Sequence, residues 1–211
     1  MRLVVLGATG GTGGMVVQRA LDGGHDVTAA ARHPERIALE HPRLQKATAD
    51  VMEPDSLDPV FRGADAVVNC VGVSSPGQAR KGTKVYSIGT ENVLGAMERT
   101  GRTRIIAVSS AGVGPRKGAP VLYKAVVRPL FLEPAYEDMR VMERLLEESG
   151  LDWTVVRPPQ LTEDRFTPDY RLQADMNFDD DHPLPRASLA QFLVDEAVEA
   201  RFVWHVVAIS G

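Results

Sequence analysis

Apolar runs about as long as a strand alternate along the chain with amphipathic segments about as long as a helix. The runs are continuous rather than alternating, which is typical of parallel strands buried on both faces. They predict strands at residues 3–6, 26–31, 44–49, 66–71, 105–108, 153–156 and 205–209. Helical spacing of apolar residues predicts helices at residues 13–21, 85–97, 136–148 and 188–200. The pattern therefore predicts an α/β fold, a doubly wound, mostly parallel sheet with helices on both faces.

The chain is expected to form one domain over residues 1–211, because its 211 residues contain no internal repeat and no linker-like shift in composition. Three stretches lack a clear period, at about residues 73–84, 112–135 and 160–186. Loops of this length in a compact domain are usually functional. They are predicted to lie on the substrate side. The last of them, with a short strand at 170–172, is predicted to form a small C-terminal substrate region.

Composition narrows the possible partners. A net charge of −4 provides no electrostatic footprint for nucleic acid or an anionic membrane, and no apolar run has the length of a membrane span. The single cysteine, Cys70, fits a reducing compartment and is expected to be a core thiol within a strand. No signal peptide is recognised, so a cytoplasmic location is expected. The predicted partner is a small-molecule substrate, and the chain is expected to be a monomer or homodimer.

A glycine-rich segment, G-A-T-G-G-T-G at residues 7–13, directly follows the first strand and opens the first helix. Glycines at these places permit a tight turn, a close approach of backbone to a pyrophosphate, and close packing of helix on strand. The amide groups and positive dipole end of the helix then face the phosphates. The segment predicts a dinucleotide-binding turn of the Rossmann type, with the contacts Gly7, Thr9, Gly10, Gly11, Thr12 and Gly13.

The residues after the second strand indicate which dinucleotide is bound. NAD-binding proteins usually carry an Asp or Glu here, which accepts from the ribose hydroxyls. This chain has Arg32 and Arg36 instead. A guanidinium can hold a 2′-phosphate with two parallel hydrogen bonds, whereas a carboxylate repels it. The alternative is that both arginines are ordinary solvated residues. The predicted cofactor is NADP, in its reduced form NADPH.

The G-x-x-G-x-x-G spacing resembles that of the extended and atypical short-chain dehydrogenase/reductase families. The resemblance covers nearly the whole chain and includes the segment W-T-V-V-R-P-P at residues 153–159. It implies that the ends of the third to sixth strands border the cofactor, with an acid and its neighbour beside the adenine ring. The positions it implies are Asp50, Val51, Val71, Gly72, Ser109 and Pro158.

The usual catalytic pair of these reductases is Tyr-x-x-x-Lys, in which the lysine lowers the pKa of the tyrosine. This chain has no such pair, and its nearest match is Tyr136 with Arg140. A guanidinium favours the phenolate by its charge but differs from lysine in hydrogen-bond geometry. The alternative is that Tyr136 simply lies at the start of a helix.

The segments around Met139 and at residues 148–159 resemble the biliverdin-IXβ reductase/flavin reductase branch, which uses NADPH without a tyrosine–lysine pair. In that resemblance Ser110, preceded by Ser109, matches the serine on the substrate side. Met139 and Gln160 stand where that branch has two histidines. Chemistry of this kind depends mainly on holding a hydride donor against a flat ring.

The sequence thus favours an NADPH-dependent oxidoreductase that transfers hydride to a small or flat acceptor of the flavin, quinone or carbonyl type. One alternative is a catalytically silent NADP-binding sensor or regulator resembling NmrA-like proteins. Another is a sugar-nucleotide epimerase or dehydratase, although those enzymes usually keep the tyrosine–lysine pair and carry a larger C-terminal region. No metal site is predicted, since the acidic run at residues 179–181 before His182 is typical of a solvated turn.

Overall fold

The computed structural model describes residues 1–73, 83–114 and 132–211. Its strands are β1 (Arg2–Leu6), β2 (Asp26–Ala31), β3 (Leu44–Thr48), β4 (Ala66–Asn69), β5 (Arg104–Val108), β6 (Asp152–Arg157), β7 (Leu161–Thr162), β8 (Arg171–Ala174), β9 (Leu184–Pro185) and β10 (His205–Ser210). Eight of them form one sheet in the order β3-β2-β1-β4-β5-β6-β10-β8, and β7 pairs with β9 separately. Within the large sheet β8 runs antiparallel to its neighbour, and the other pairs among the described strands are parallel. The predicted mostly parallel α/β sheet is confirmed.

The helices are α1 (Gly11–Asp22), α2 (Asp58–Phe61), α3 (Ser87–Thr100), α4 (Glu133–Glu148) and α5 (Arg186–Glu199). Short 3-10 turns lie at Pro34–Arg36, Pro54–Ser56 and Ala111–Val113. The end of α3 is set by Gly101, whose φ of 66° lies in the left-handed region that a side chain disfavours. Proline in the first turn of α4 fits a helix start, where its missing N–H costs nothing.

Two apolar layers hold the sheet, one on each face. On one face α1 and α5 pack against the strands, with Val16, Leu189 and Phe192 fully buried. On the other face α2, α3 and α4 pack against them, with Phe61, Met97 and Leu146 among the fully buried side chains. Burial on both faces explains why the central strands are continuous apolar runs.

The strand order reverses between β1 and β4, because the chain winds outward from β1 to β3 and then returns to the other side of β1. In doubly wound sheets this switch point opens a crevice at the carboxyl ends of the strands, where ligands bind. The glycine turn after β1 lies in this crevice.

Several element ends differ from the prediction. The fourth strand was expected to reach residue 71 but ends at Asn69, because the Asn69 side chain accepts a hydrogen bond from the backbone N–H of Val71 at 3.1 Å and turns the chain out of the sheet. The expectation that Cys70 lies within the strand is therefore wrong, since it directly follows β4. The pair of two-residue strands, β7 and β9, was not predicted because such short strands have no period.

Two of the predicted loops lie largely outside the described residues. Of the loop at about 73–84 the structure describes residues 73, 83 and 84, and of the loop at about 112–135 it describes residues 112–114 and 132–135. The predicted loop 160–186 contains β7, β8 and β9. That the whole chain forms a single domain stays a prediction.

Candidate functional site

The glycine turn between β1 and α1 is closed by a hydrogen bond from the N–H of Gly10 to the carbonyl of Gly7, at 2.9 Å. Gly7 has a φ of 74°, and a Cβ there would lie 2.9 Å from the carbonyl oxygen of Cys70. At Gly13 a Cβ would lie 2.3 Å from the Gly7 oxygen, so helix and turn can approach this closely only without side chains. The turn therefore has the geometry that a pyrophosphate requires.

A cavity of about 720 Å³ opens beside this turn, at the carboxyl ends of β1 to β4. Its wall includes nine of the predicted cofactor positions: Gly7, Thr9, Gly10, Arg32, Arg36, Asp50, Val51, Val71 and Gly72. The remaining predicted positions, which do not line it, are Gly11, Thr12, Gly13, Ser109 and Pro158. The first three of these form the start of α1, and the last two lie at the ends of β5 and β6.

Arg32 directly follows β2, and Arg36 ends the 3-10 turn that begins at Pro34. Both arginines are exposed and both line the cavity. Their guanidinium groups bring positive charge to the side of the cavity formed by the end of β2. This is the arrangement that can hold a phosphate on the adenosine ribose.

Another part of the cavity wall is built by the loop after β3. Its backbone is fixed by Asn92 of α3, whose Nδ2 donates to the carbonyl of Val51 at 2.8 Å. The Ser56 hydroxyl accepts from the N–H of Asp50 at 3.0 Å, and the Asp50 carboxylate accepts from the N–H of Met52 at 3.0 Å. Asn92 and Ser56 thus hold the backbone of this loop, and the bond between Asp50 and Met52 fixes its turn.

The segment after β4 forms the floor of the cavity. The hydroxyl of Tyr86 accepts from the N–H of Val73 at 3.3 Å, and a Cβ on Gly72 would lie 3.0 Å from that hydroxyl. Burial raises the pKa of Tyr86. Burial likewise raises the pKa of the Cys70 thiol to about 12, so this cavity residue stays protonated at neutral pH and is a poor nucleophile.

The two predicted serines lie at the carboxyl end of β5. Ser109 is buried, and its hydroxyl donates to Glu143 of α4 at 2.6 Å. The same carboxylate is held by the guanidinium of Arg157, at the end of β6. Ser110 is half-buried, and its Oγ accepts from the N–H of Gly112 at 3.1 Å. Its own hydrogen is therefore directed elsewhere.

Tyr136 lies against the turn that follows the serines, since a Cβ on Gly112 would lie 2.2 Å from the Tyr136 ring. Arg140, one helical turn further along α4, donates to the Glu133 carboxylate at 2.8 Å and to the carbonyl of Val113 at 3.3 Å. Pro158 joins the same group, because its carbonyl accepts from the N–H of Ala111 at 2.9 Å. The structure thus brings the predicted catalytic positions together around the turn that follows β5.

One residue at the glycine turn was missed by sequence reasoning. Arg186, the first residue of α5, donates from Nη1 to the hydroxyl of Thr12 at 3.0 Å. These two residues are 174 positions apart, so no local spacing signals the contact.

The acidic run near His182 was predicted to be a solvated turn, and Asp180 there forms an exposed ion pair with Arg171. Among the described residues no group of three or more potential ligands is placed to hold a metal ion. Within the same residues, no helix is both long and apolar enough to cross a membrane.

Comparisons with known proteins agree with this geometry. The NAD(P)H-binding family matches the chain over residues 7–200. An uncharacterised chloroplast protein of Arabidopsis thaliana is 29% identical over 215 residues, which cover 94% of this chain and 71% of that protein. The first curated relatives vary in length, and the chain spans between 14% and 71% of the length of each of them.

Two solved structures show the same fold. A short-chain dehydrogenase/reductase from Veillonella parvula in complex with NADP has a TM-score of 0.83 at 20% identity, with 100% of this chain and 94% of that chain covered. A candidate NADH-flavin reductase from Streptococcus pneumoniae has a TM-score of 0.76 at 20% identity, with 100% and 99% covered. The Rossmann fold and the NAD(P)H-binding that the sequence predicted are confirmed.

Proposed function

The chain belongs to the NAD(P)H-binding family, and on that premise we propose that it is an NADPH-dependent oxidoreductase. The proposed reaction transfers a hydride to a small or flat organic acceptor of the flavin, quinone or carbonyl type. The site lies at the carboxyl ends of the parallel strands, where the glycine turn and the cavity meet.

The preference for NADPH is carried by the two arginines at the end of β2. Arg32 and Arg36 line the cavity at the place where NAD-binding proteins usually have an acid. A guanidinium remains charged at any working pH, and it forms two parallel hydrogen bonds with a phosphate. The site is therefore suited to the phosphate that distinguishes NADP from NAD.

The residues present fit a dinucleotide. The turn from Gly7 to Gly13 provides the space and amide groups for the pyrophosphate, and the loop at Asp50 and Val51 walls the adenine side. When bound, NADPH supplies the hydride and the electron pair of the reduction. The protein binds and orients it, and shields it from water.

Proton handling on the acceptor side is assigned to Ser110. Its Oγ accepts from the N–H of Gly112, which leaves its hydrogen free to donate toward an acceptor atom. Ser109 is already committed to Glu143, so its role is to fix the end of β5. Tyr136 and Arg140 form the adjoining wall.

Turnover tests this proposal directly. We expect the protein to oxidise NADPH in the presence of at least one member of a panel of flavins, quinones and aldehydes. Ser110→Ala should lower kcat and leave the NADPH dissociation constant within a few-fold, because the hydroxyl faces the acceptor and not the phosphates. Equal rates for Ser110→Ala and the parent would reduce the serine to a structural cap.

The second candidate is an NADP-binding sensor without catalysis. It is favoured by the lack of a Tyr-x-x-x-Lys pair in the sequence and by the contacts of Arg140, which pairs with Glu133 instead of being reserved for a cofactor ribose. Tight NADPH binding with no turnover against the whole panel would support this candidate.

A cytoplasmic location and a monomer or homodimer remain part of the proposal.

A further inference from the structure

A cationic side chain that does not line the cavity lies against the glycine turn. Arg186 begins α5, directly after the short strand β9. A Cβ built on Gly11 would lie 3.1 Å from Nε and 3.3 Å from Cζ of Arg186. The guanidinium therefore lies directly against the first turn of α1, where the dinucleotide phosphates are expected.

The contact with Thr12 leaves this hydroxyl ready for an anion. Nη1 of Arg186 donates to Oγ1 of Thr12 at 3.0 Å, so the oxygen acts as acceptor in that bond. The hydrogen of the hydroxyl consequently points elsewhere and can be donated to a phosphate oxygen. Arginine and threonine together add two donors to the backbone amides of the turn.

Arg186 is also held by a carboxylate. Nε and Nη2 both donate to one oxygen of Glu163, at 2.9 and 2.8 Å. The Glu163 side chain is 70% exposed, whereas that of Arg186 is 22% exposed. An ion pair with so exposed a partner contributes little to stability, because water screens the carboxylate. A phosphate at the turn can therefore compete with Glu163 for the guanidinium.

We propose that Arg186 binds the pyrophosphate of the dinucleotide and that Glu163 competes with this pyrophosphate for the guanidinium. This inference rests on the proposed cofactor site and extends it to a residue at the far end of the chain. Arg186 acts on the phosphates that NADPH and NADH share, whereas Arg32 acts on the phosphate that only NADPH has. Glu163 follows β7, so cofactor binding also releases a contact of the C-terminal substrate region.

A purely structural role makes a different prediction. If the pair only joins α1, α5 and the segment after β7, then removing either partner has the same consequence. If Arg186 binds phosphate, the two removals have opposite consequences, since Glu163 competes with the ligand and Arg186 attracts it. The direction of the affinity change in the two variants therefore distinguishes phosphate binding from a purely structural role.

The experiment is calorimetry of NADPH, NADH and ADP with the parent, Arg186→Met and Glu163→Gln. Arg186→Met should weaken all three ligands by about tenfold or more, the loss expected for a charge-assisted hydrogen bond. Glu163→Gln should bind all three at least as tightly as the parent. Parental affinity in Arg186→Met, or similar weakening in both variants, would overturn the inference.

Two controls make the result decisive. Arg186→Lys keeps the charge but cannot form the paired hydrogen bonds of a guanidinium, so its ADP affinity should lie between those of the parent and Arg186→Met. It replaces the methionine variant if that variant is unfolded. Binding of 2′-AMP, which has no pyrophosphate, should be unchanged by Arg186→Met and weakened by Arg32→Ala. ADP carries the pyrophosphate but has no nicotinamide, so its binding does not depend on turnover. A chain without NADPH turnover would therefore refute the proposed function and leave this inference to be decided by the ADP result.

Discussion

Gly10 is the residue at which the geometry of the phosphate turn can be tested most simply. Its φ of −80° is open to any residue, so only space restricts what may stand there. A Cβ would lie 3.2 Å from the carbonyl oxygen of Gly7, so the backbone of the turn would have to shift by a few tenths of an ångström. A larger side chain at this position projects into the volume that the pyrophosphate needs.

Gly10→Val should therefore abolish NADPH binding in a folded protein, as measured by calorimetry. Gly14→Ala is the matched control, because its Cβ would make an ordinary contact of 3.5 Å with the carbonyl oxygen of Ala8. It should keep parental affinity. A folded Gly10→Val variant that binds NADPH as tightly as the parent would show that this turn does not hold the pyrophosphate.

At the scale of single residues, the sequence predicts positions that depend on nearby residues in the chain. The turn glycines and Arg32 are separated by few residues from the strands that place them, so their positions follow from strand ends. The bond from Ser109 to Glu143 and the bond from Arg186 to Thr12 join distant parts of the chain. They depend on how α4 and α5 pack, which no spacing in the sequence encodes.

Among the elements, α3 has its amino end capped by a residue of another helix. Asp138 of α4 accepts hydrogen bonds from the N–H of Tyr86 at 3.0 Å and of Ser87 at 3.4 Å, and from the Ser87 hydroxyl. Its side chain is buried, at 4% exposed. The negative charge also meets the positive end of the α3 dipole. This carboxylate thus fixes α3, which carries Asn92, against α4, which carries Glu143.

Asp138→Ala should lower the free energy of unfolding by about 1–3 kcal/mol, because it leaves buried N–H groups without their acceptor. Glu137→Ala removes the neighbouring carboxylate, which is exposed, and should change stability by less than about 0.5 kcal/mol. Urea unfolding of both variants measures the difference. Equal midpoints for the two variants would show that α3 does not depend on this cap.

The elements with a strong period were predictable, and the weakly patterned ones were not. Parallel strands buried on both faces are visible as continuous apolar runs, and the longer helices have an apolar period that the sequence displays. The antiparallel edge strand β8 is only partly buried, and β7 and β9 have two residues each. The register of β8 is set by the backbone of β10, and β7 and β9 pair only with each other.

At the scale of the whole molecule, a buried polar network joins several elements near the amino ends of the strands, away from the carboxyl ends that line the candidate site. Arg104, the first residue of β5, pairs with Glu196 of α5 at 2.6 Å and donates to Thr154 of β6 at 2.8 Å. Glu196 is fully buried and accepts in addition from the N–H of Phe202 at 2.9 Å. Burial lowers the pKa of Arg104, and Glu196 opposes that shift. Two strands, one helix and the turn before β10 therefore meet in one network.

Arg104→Met should destabilise the fold by about 3–5 kcal/mol, since it leaves the Glu196 charge buried without its partner. The double variant Arg104→Met with Glu196→Met should recover most of that loss, because no unpaired charge remains. Urea unfolding of the parent, both single variants and the double variant forms the cycle. A double variant as unstable as the sum of the single variants would show that the two residues act independently.

The central claim is that the crevice at the switch point of the sheet is built for NADPH, and the direct test is the ratio of NADPH to NADH dissociation constants. The parent should bind NADPH about 10- to 150-fold more tightly, the range expected for a charge-assisted contact of about 1.5–3 kcal/mol. Arg32→Ala should remove most of that ratio by weakening NADPH alone, whereas Arg201→Ala, on the surface beside Glu199, should preserve it. Equal affinity of the parent for NADPH and NADH would contradict the account.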